Sequence, residues 1–232
     1  MTETYDAMKD RLLDAALSNV PFDGWSEDTF KAAVADTEIA PDVARNVCPR
    51  GAVDLALAFH ARGDAAMLAR LDAEDLSDLR FRDKIAAAVR YRLEAVTDKE
   101  AVRRGTILFS LPMHAATGAK AIWGTADKIW TALGDTSDDV NWYTKRATLS
   151  GVYGSTVLFW LGDDSADHAA TWDFLDRRID NVMQIEKAKA TVRENKLLSG
   201  LMAGPNWLLG HVRAPMRVPD VDLPGQWTDR QD

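Results

Sequence analysis

The side chains best suited to metal binding or acid–base catalysis are few and scattered in this sequence. The four histidines lie far apart, and none has the H-x-x-x-H or E-x-x-H spacing that places two metal ligands on one helix face. Asp163, Asp164, Asp167 and His168 form the only cluster of acids with a histidine, which is better explained as a helix-capping loop. The G-x-S-x-G, P-loop and G-x-G-x-x-G motifs are absent. We therefore predict no catalytic residues, no metal and no cofactor, and a protein that is not an enzyme.

Composition and charge indicate an ordinary globular protein. The 232 residues are 47% hydrophobic and 28% charged, and the formal net charge of -8 argues against a nucleic-acid partner. The single cysteine, Cys48, excludes a disulfide framework and fits a reducing compartment. The first residues have neither a secretory nor a transit-peptide pattern, and no apolar run approaches the roughly 20 residues of a membrane span.

The elements that must position the side chains are predicted to be helices almost throughout. Ser26 is a plausible N-cap of one helix, and Pro41 opens a short helix that ends near Val47. Pro49 is predicted to open a helix that reaches His60, and residues 63–79 are typical of shorter helical pieces. The first sixty residues thus have the outline of a TetR-type helix-turn-helix unit.

Later in the chain, caps and helix breakers predict longer helices. Thr97 to Glu100 fit a capping box at the start of a helix, and Pro112 should break that helix. Ser137 is predicted to cap a long helix to Leu161, and Asp164 or Ser165 to cap the next one. We divide the chain into 1–62, 63–195 and 196–232, with the first two ranges forming one continuous fold.

Charge argues that the helix-turn-helix outline no longer serves DNA binding. Residues 1–60 contain eleven acidic and five basic side chains, a net charge of -6. Binding to DNA needs several Lys or Arg side chains near phosphates, because counterion release supplies most of the affinity. The candidate recognition helix after Pro41 offers Arg45 alone. We expect a degenerate unit without a nucleic-acid partner.

Residues 134–186 carry the most specific pattern in the sequence. They contain GDTS, then NWYTKR at 141–146, then DDSAD, and then TWDFLDRRI at 171–179. This stretch closely resembles the coenzyme Q (ubiquinone) biosynthesis accessory-protein family, and weaker similarity extends over most of the chain. The NWYTKR core is its specific part, whereas any TetR relative would share the N-terminal outline.

The resemblance implies a fold and a role. The fold is an all-α, TetR-like helical bundle, usually a homodimer, with a C-terminal amphipathic segment. The role is to bind an isoprenoid quinone precursor or phospholipid and to assist the di-iron demethoxyubiquinone hydroxylase. A bacterial member would lie in the cytoplasm, peripherally associated with the inner membrane. A TetR-type ligand-responsive transcriptional regulator is the alternative, and a hydrolase-like enzyme is a weaker third.

The resemblance also implies a surface that binds the hydroxylase. It carries Trp142, Tyr143 and Arg146 over from the family motif, with Asp139 just before them. Spacings of three and four residues place all four side chains on one helix face, and Trp, Tyr and Arg are enriched in interface hot spots. Alternatively, Trp142 and Tyr143 are core residues of an amphipathic helix.

The central helices are rich in aromatic and methionine side chains that suit a pocket for an irregular apolar ligand. A packed core without a ligand is the alternative. The residues predicted to bind lipid are Phe109, Met113, Trp123, Trp130, Tyr153, Phe159, Trp160 and Trp172.

The C-terminal segment is predicted to contact a membrane surface. Residues 187–217 hold six bases and one acid, a net charge of +5, beside many apolar side chains. A basic segment with an apolar side and a Trp is typical of an interfacial helix, although docking onto a partner subunit is the alternative. The residues expected to meet the membrane are Lys196, Leu197, Leu198, Leu201, Met202, Trp207 and Leu208.

Overall fold

The computed structural model describes residues 4–194 and 213–215, and within them the fold is all-α, as predicted. The helices are α1 (Tyr5–Leu17), α2 (Val20–Asp23), α3 (Glu27–Thr37), α4 (Pro41–Val47), α5 (Ala52–Ala73), α6 (Phe81–Glu94), α7 (Lys99–Ser110), α8 (Pro112–Ala132), α9 (Val140–Leu161) and α10 (Ala169–Glu194), with a 3₁₀ turn at Ala166–His168 before α10.

Local sequence signals explain most helix boundaries. The Ser26 hydroxyl accepts the amide N–H of Thr29 at the start of α3, and Asp98 caps α7 in the same way through Ala101. Pro41 and Pro112 occupy the first positions of α4 and α8, where the missing proline N–H costs no helical hydrogen bond. The predicted break at Pro112 is confirmed.

Several predicted boundaries are wrong. α5 begins at Ala52 instead of Pro49, and α7 is capped by Asp98 instead of Thr97. The helix expected to end at His60 continues as α5 through Gly63 to Ala73. A glycine inside a helix costs only about 1 kcal/mol, and here its bare backbone admits a neighbouring arginine. The N-cap of α9 is Asp139 instead of Ser137, because the Ser137 hydroxyl is bound to Asp135 and Lys145.

The core has two parts that follow the order of the chain. In the first, α1 packs against α3, α4 and α5 around Leu12, Leu13 and Phe30. In the second, α6, α8, α9 and α10 enclose Met67, Ile129 and other apolar side chains. The long helix α5 contributes to both parts, so it joins the N-terminal unit rigidly to the central helices.

Candidate functional site

An apolar cavity of about 410 Å³ lies between the two parts of the core. Its volume falls in the range of small-ligand pockets. Exposed lining residues Ser110, Ala119 and Leu158 mark one side, and buried Leu93 and Ala101 mark another. The remaining lining residues are Trp25, Ala56, Phe59, His60, Arg92, Val96, Val102, Gly105, Thr106, Phe109, Gly118, Ala121, Ile122, Tyr153, Gly154 and Val157.

A polar cluster borders this cavity and centres on the fully buried carboxylate of Asp64. This carboxylate accepts hydrogen bonds from Arg92 Nε at 2.7 Å, Thr125 Oγ1 at 2.9 Å and Lys128 Nζ at 2.9 Å. His60 lies one helical turn before Asp64 and completes the group. With a neutral histidine, two cations and one carboxylate leave the polar cluster with a net charge of +1.

The hydrogen bonds of the polar cluster have a defined direction. Burial lowers the pKa of His60 to about 4. The negative charge of Asp64 raises this pKa, and the positive charges of Arg92 and Lys128 lower it. The ring is therefore neutral at pH 7. Because Arg92 can only donate, His60 Nδ1 accepts from it at 3.3 Å, and Nε2–H donates to Thr125 Oγ1 at 2.8 Å. Thr125 then donates to Asp64, so both histidine nitrogens are occupied.

Two glycines allow close packing around the cavity. A Cβ at Gly63 would lie 2.4 Å from the Arg92 guanidinium, and a Cβ at Gly118 would lie 2.6 Å from Phe109 Cβ. Real side chains do not approach so closely, so any larger residue would displace its neighbour. Gly63 thereby leaves room for Arg92, and Gly118 leaves room for Phe109, both of which line the cavity.

The structure brings only two of the eight predicted lipid-binding residues to this cavity, Phe109 and Tyr153. Trp130 and Trp172 line separate depressions against α10. Trp160 is buried beside Lys99 and His168, and Phe159 stacks on Phe174 with ring centroids 4.4 Å apart. Met113 is 79% exposed.

The eighth residue, Trp123, belongs instead to an aromatic patch formed with Trp142 and Tyr143 at the start of α9. Their ring centroids lie 4.8–6.5 Å apart, within the range for aromatic contacts. Trp142 and Tyr143 are half-buried, so each keeps an accessible face. Asp139 stands beside them as the N-cap of α9, accepting the amide of Asn141.

Arg146 lies beneath the aromatic patch and not on its surface. Its side chain is fully buried, pairs with Asp127 and reaches Asp135 Oδ2 at 2.9 Å. The guanidinium also lies 4.1 Å from the centroid of the Trp142 ring. The helical spacing placed Arg146 correctly beside Trp142, but its depth differs from an exposed contact residue. In this structure it holds Trp142 in place from below.

Residues 213–215 pass beside the aromatic patch. The Tyr143 hydroxyl donates to the Arg213 carbonyl at 3.2 Å, and the Ala214 amide donates to the Asp138 carbonyl at 2.9 Å. All seven residues predicted to contact the membrane, Lys196 to Leu208, lie outside the described residues.

The side chains of the polar cluster that borders the cavity are not among the site residues predicted from the sequence. His60 and Asp64 lie four residues apart in α5, a helix whose other inward positions are apolar. A charged residue on such a face needs a buried partner, and this was a usable signal. Nothing local pointed to Arg92, because it reaches Asp64 from another helix.

Neither a metal site nor a spanning helix is found where the structure can be described. Within residues 4–194 and 213–215, His, Cys, Asp and Glu side chains form no cluster able to hold a metal ion. Over the same ranges, no helix combines the length and apolar character needed to cross a bilayer.

Solved structures confirm the predicted TetR-like fold. A crystal structure described as a TetR transcriptional regulator from Nitrosomonas europaea matches with a TM-score of 0.60, covering 75% of this chain and 96% of that one. The two sequences are 20% identical, so this similarity concerns the fold alone.

Sequence comparisons identify the family. Residues 115–186 match the COQ9 family model. Ubiquinone biosynthesis protein COQ9, mitochondrial, from Drosophila melanogaster is 32% identical over 78% of this chain, and a probable coq9 protein from Dictyostelium discoideum is 30% identical over 81%. The chain spans 57% and 63% of the length of these two relatives. Residues 115–186 therefore belong to the COQ9 family, and the chain as a whole is similar to COQ9 proteins.

Proposed function

We propose that this protein is a lipid-binding accessory protein of ubiquinone biosynthesis that presents a polyprenyl quinone precursor to the di-iron demethoxyubiquinone hydroxylase. The observation that carries the proposal is the apolar cavity between the two core parts. Its lining is predominantly aliphatic and aromatic, which suits an isoprenoid chain. The names of the COQ9 relatives assign them to ubiquinone biosynthesis.

Charge and pairing in the helix-turn-helix support an accessory protein over a transcriptional regulator. Arg45, the one base of α4, pairs with Glu27 and lies 4.6 Å from the centroid of the Phe30 ring. Arg50 pairs with Asp54 at 2.6 Å. Bases engaged by carboxylates are poor partners for phosphates, and the unit as a whole is acidic.

The aromatic patch suits the hydroxylase as partner. Trp and Tyr dominate interface hot spots because they bury large areas with little loss of side-chain freedom. The patch lies at the surface, and buried Arg146 holds one of its rings. The proposal includes peripheral attachment to a membrane surface, since a polyprenyl precursor stays in the bilayer. It also includes a homodimer.

Filling the cavity should abolish lipid retention. Gly154 lines the cavity, and a Cβ there meets only Ile122 at 3.9 Å, so leucine at this position would extend into the empty space. We expect Gly154→Leu to lose the apolar molecules that wild-type protein retains through purification, as measured by solvent extraction and mass spectrometry. Gly151→Leu is the matched control, because a Cβ at this exposed glycine meets nothing within 4 Å.

The identity of the extracted lipid tests the proposal further. A polyprenyl quinone precursor supports it, whereas phospholipid alone would contradict quinone presentation. Equal retention by wild type and Gly154→Leu would show that the cavity is not the lipid site. A sequence-selective, nanomolar gel shift with DNA at physiological salt would favour the regulator instead.

Truncating the centre of the aromatic patch should weaken hydroxylase binding. Hot-spot truncations cost about 2 kcal/mol or more, so we expect Trp142→Ala to raise the dissociation constant at least about 30-fold. Binding of the purified hydroxylase is measured by surface plasmon resonance. Phe22→Ala is the control, since Phe22 is 80% exposed on α2, away from the patch. Unchanged affinity of folded Trp142→Ala would remove the patch from the interface.

A further inference from the structure

The cavity is chemically uneven, because polar side chains meet at one part of an otherwise apolar lining. His60 of α5, Arg92 of α6 and Tyr153 of α9 all line it. Arg92 is only 4% exposed and Tyr153 only 3%, whereas Leu158 on another part of the lining is 60% exposed. An apolar molecule in this cavity would therefore have one end beside buried polar groups and the other near solvent.

Tyr153 contributes a phenol hydroxyl group to this polar part of the lining. Within the described residues this hydroxyl makes no hydrogen bond, although buried tyrosine hydroxyls usually find one. Burial raises the pKa of Tyr153, so the phenol stays protonated at neutral pH and can donate. The Arg92 guanidinium lies 6.0 Å from the centroid of the tyrosine ring. A buried phenol therefore lines the cavity beside a cation.

The other polar groups do not compete for that hydroxyl. Both nitrogens of His60 are occupied by Arg92 and Thr125, and Asp64 already accepts hydrogen bonds from Arg92, Thr125 and Lys128. The net charge of +1 favours a group with negative charge density. A phenol O–H suits a single ring oxygen, whereas a phosphate needs several donors to replace its water.

We propose that the cavity holds its ligand by an oxygen-bearing ring, with a quinone or phenol oxygen accepting a hydrogen bond from Tyr153 and the apolar chain extending toward Leu158. This inference rests on the proposed function and adds the chemistry and orientation of the ligand. A single neutral hydrogen bond fixes the orientation while leaving the ligand easy to release, as a protein that passes its ligand on requires.

A pair of matched ligands tests the orientation. The wild-type full chain, freed of lipid, is loaded with the fluorescent apolar probe N-phenyl-1-naphthylamine. The probe is displaced with 2-decyl-1,4-benzoquinone or with decylbenzene, which has the same carbon skeleton but no ring oxygen. We expect Tyr153→Phe to weaken the quinone by about threefold to tenfold, the effect of one hydrogen bond, and to leave decylbenzene unchanged.

A second tyrosine variant controls for the loss of a buried hydroxyl. The Tyr91 hydroxyl on α6 donates to Glu74, outside the cavity lining, so Tyr91→Phe should leave both ligands unchanged. Thermal unfolding verifies that each variant is folded. Tyr153→Met, which also keeps an apolar side chain without the hydroxyl, replaces Tyr153→Phe if the latter is unstable.

The outcomes separate this inference from the proposed function. If neither ligand displaces the probe from wild-type protein, the cavity does not take apolar ring compounds and the proposed function fails. If both displace it but Tyr153→Phe weakens neither, or both equally, the orientation is wrong and the proposed function stands. If Tyr153→Phe weakens only lysophosphatidylcholine, tested in parallel, the polar end binds a phosphate head group and our assignment is overturned.

Discussion

Replacing Asp64 with alanine is expected to lower the free energy of unfolding by about 3–5 kcal/mol, the usual cost of breaking a buried ion pair. The carboxylate is fully buried and accepts three hydrogen bonds, and Arg92, whose side chain is 5% exposed, depends on it for charge compensation. Lys128 is 44% exposed and can turn to solvent, but Arg92 cannot. Urea unfolding followed by circular dichroism measures the loss.

Two further variants test this explanation. Asp10→Ala removes a carboxylate that is 65% exposed and pairs with Arg62, so its effect should stay below about 1 kcal/mol. Adding Arg92→Met to Asp64→Ala should recover part of the loss, because the uncompensated buried cation is then gone. A loss below 1 kcal/mol in Asp64→Ala alone would mean that Arg92 finds other compensation.

Arg146→Met is expected to cost about 3 kcal/mol and to disturb the aromatic patch at the same time. The variant leaves Asp135, whose side chain is 2% exposed, with Lys145 as its remaining cation at 2.7 Å. Trp142 also loses the guanidinium beneath its ring. We expect a reduced near-ultraviolet circular dichroism signal and weaker hydroxylase binding, while the far-ultraviolet helix signal persists below the unfolding transition.

The pH dependence identifies the group responsible. Burial alone would raise the pKa of Asp135. Hydrogen bonds from Lys145, Arg146 and Ser137 lower it by more, so the net pKa lies well below the usual value. A carboxyl with a lowered folded-state pKa stabilises the protein above its unfolded pKa of 3.8 and loses that contribution as the pH falls. The difference between wild type and Arg146→Met should therefore shrink below about pH 4. A constant difference from pH 7 to pH 3 would exclude Asp135.

Local sequence signals predicted helix boundaries correctly where neighbouring backbone groups decide them, and failed where tertiary contacts decide them. Ser26, Pro41 and Pro112 act through neighbouring backbone groups, so their positions were readable from the sequence. The helix end predicted at His60 is wrong, because Gly63 is explained by the close approach of Arg92 from α6 and not by a break in the helix. Ser137 was misread as a cap, because Lys145 and Asp135 occupy its hydroxyl.

The site was predictable only where helical spacing decides the geometry. The spacing from Trp142 to Arg146 indicated a shared face correctly, but it could not show that Asp127 and Asp135 draw the arginine inward. The sequence predicts the tryptophans as cavity residues because they are large and apolar. Their direction depends on how helices cross, which a single sequence does not encode locally, and the structure turns them to other surfaces.

The contacts of Arg213 with Tyr143 and of Ala214 with Asp138 limit how far the chain between α10 and Arg213 can extend. Residues 195–212 are attached at Glu194 on one side and beside the aromatic patch on the other. Fully extended, such a stretch spans at most about 65 Å, so no residue in it lies farther than about 33 Å from the nearer attachment point. While those contacts hold, a bilayer met by Lys196 to Leu208 must come within that distance of one attachment point.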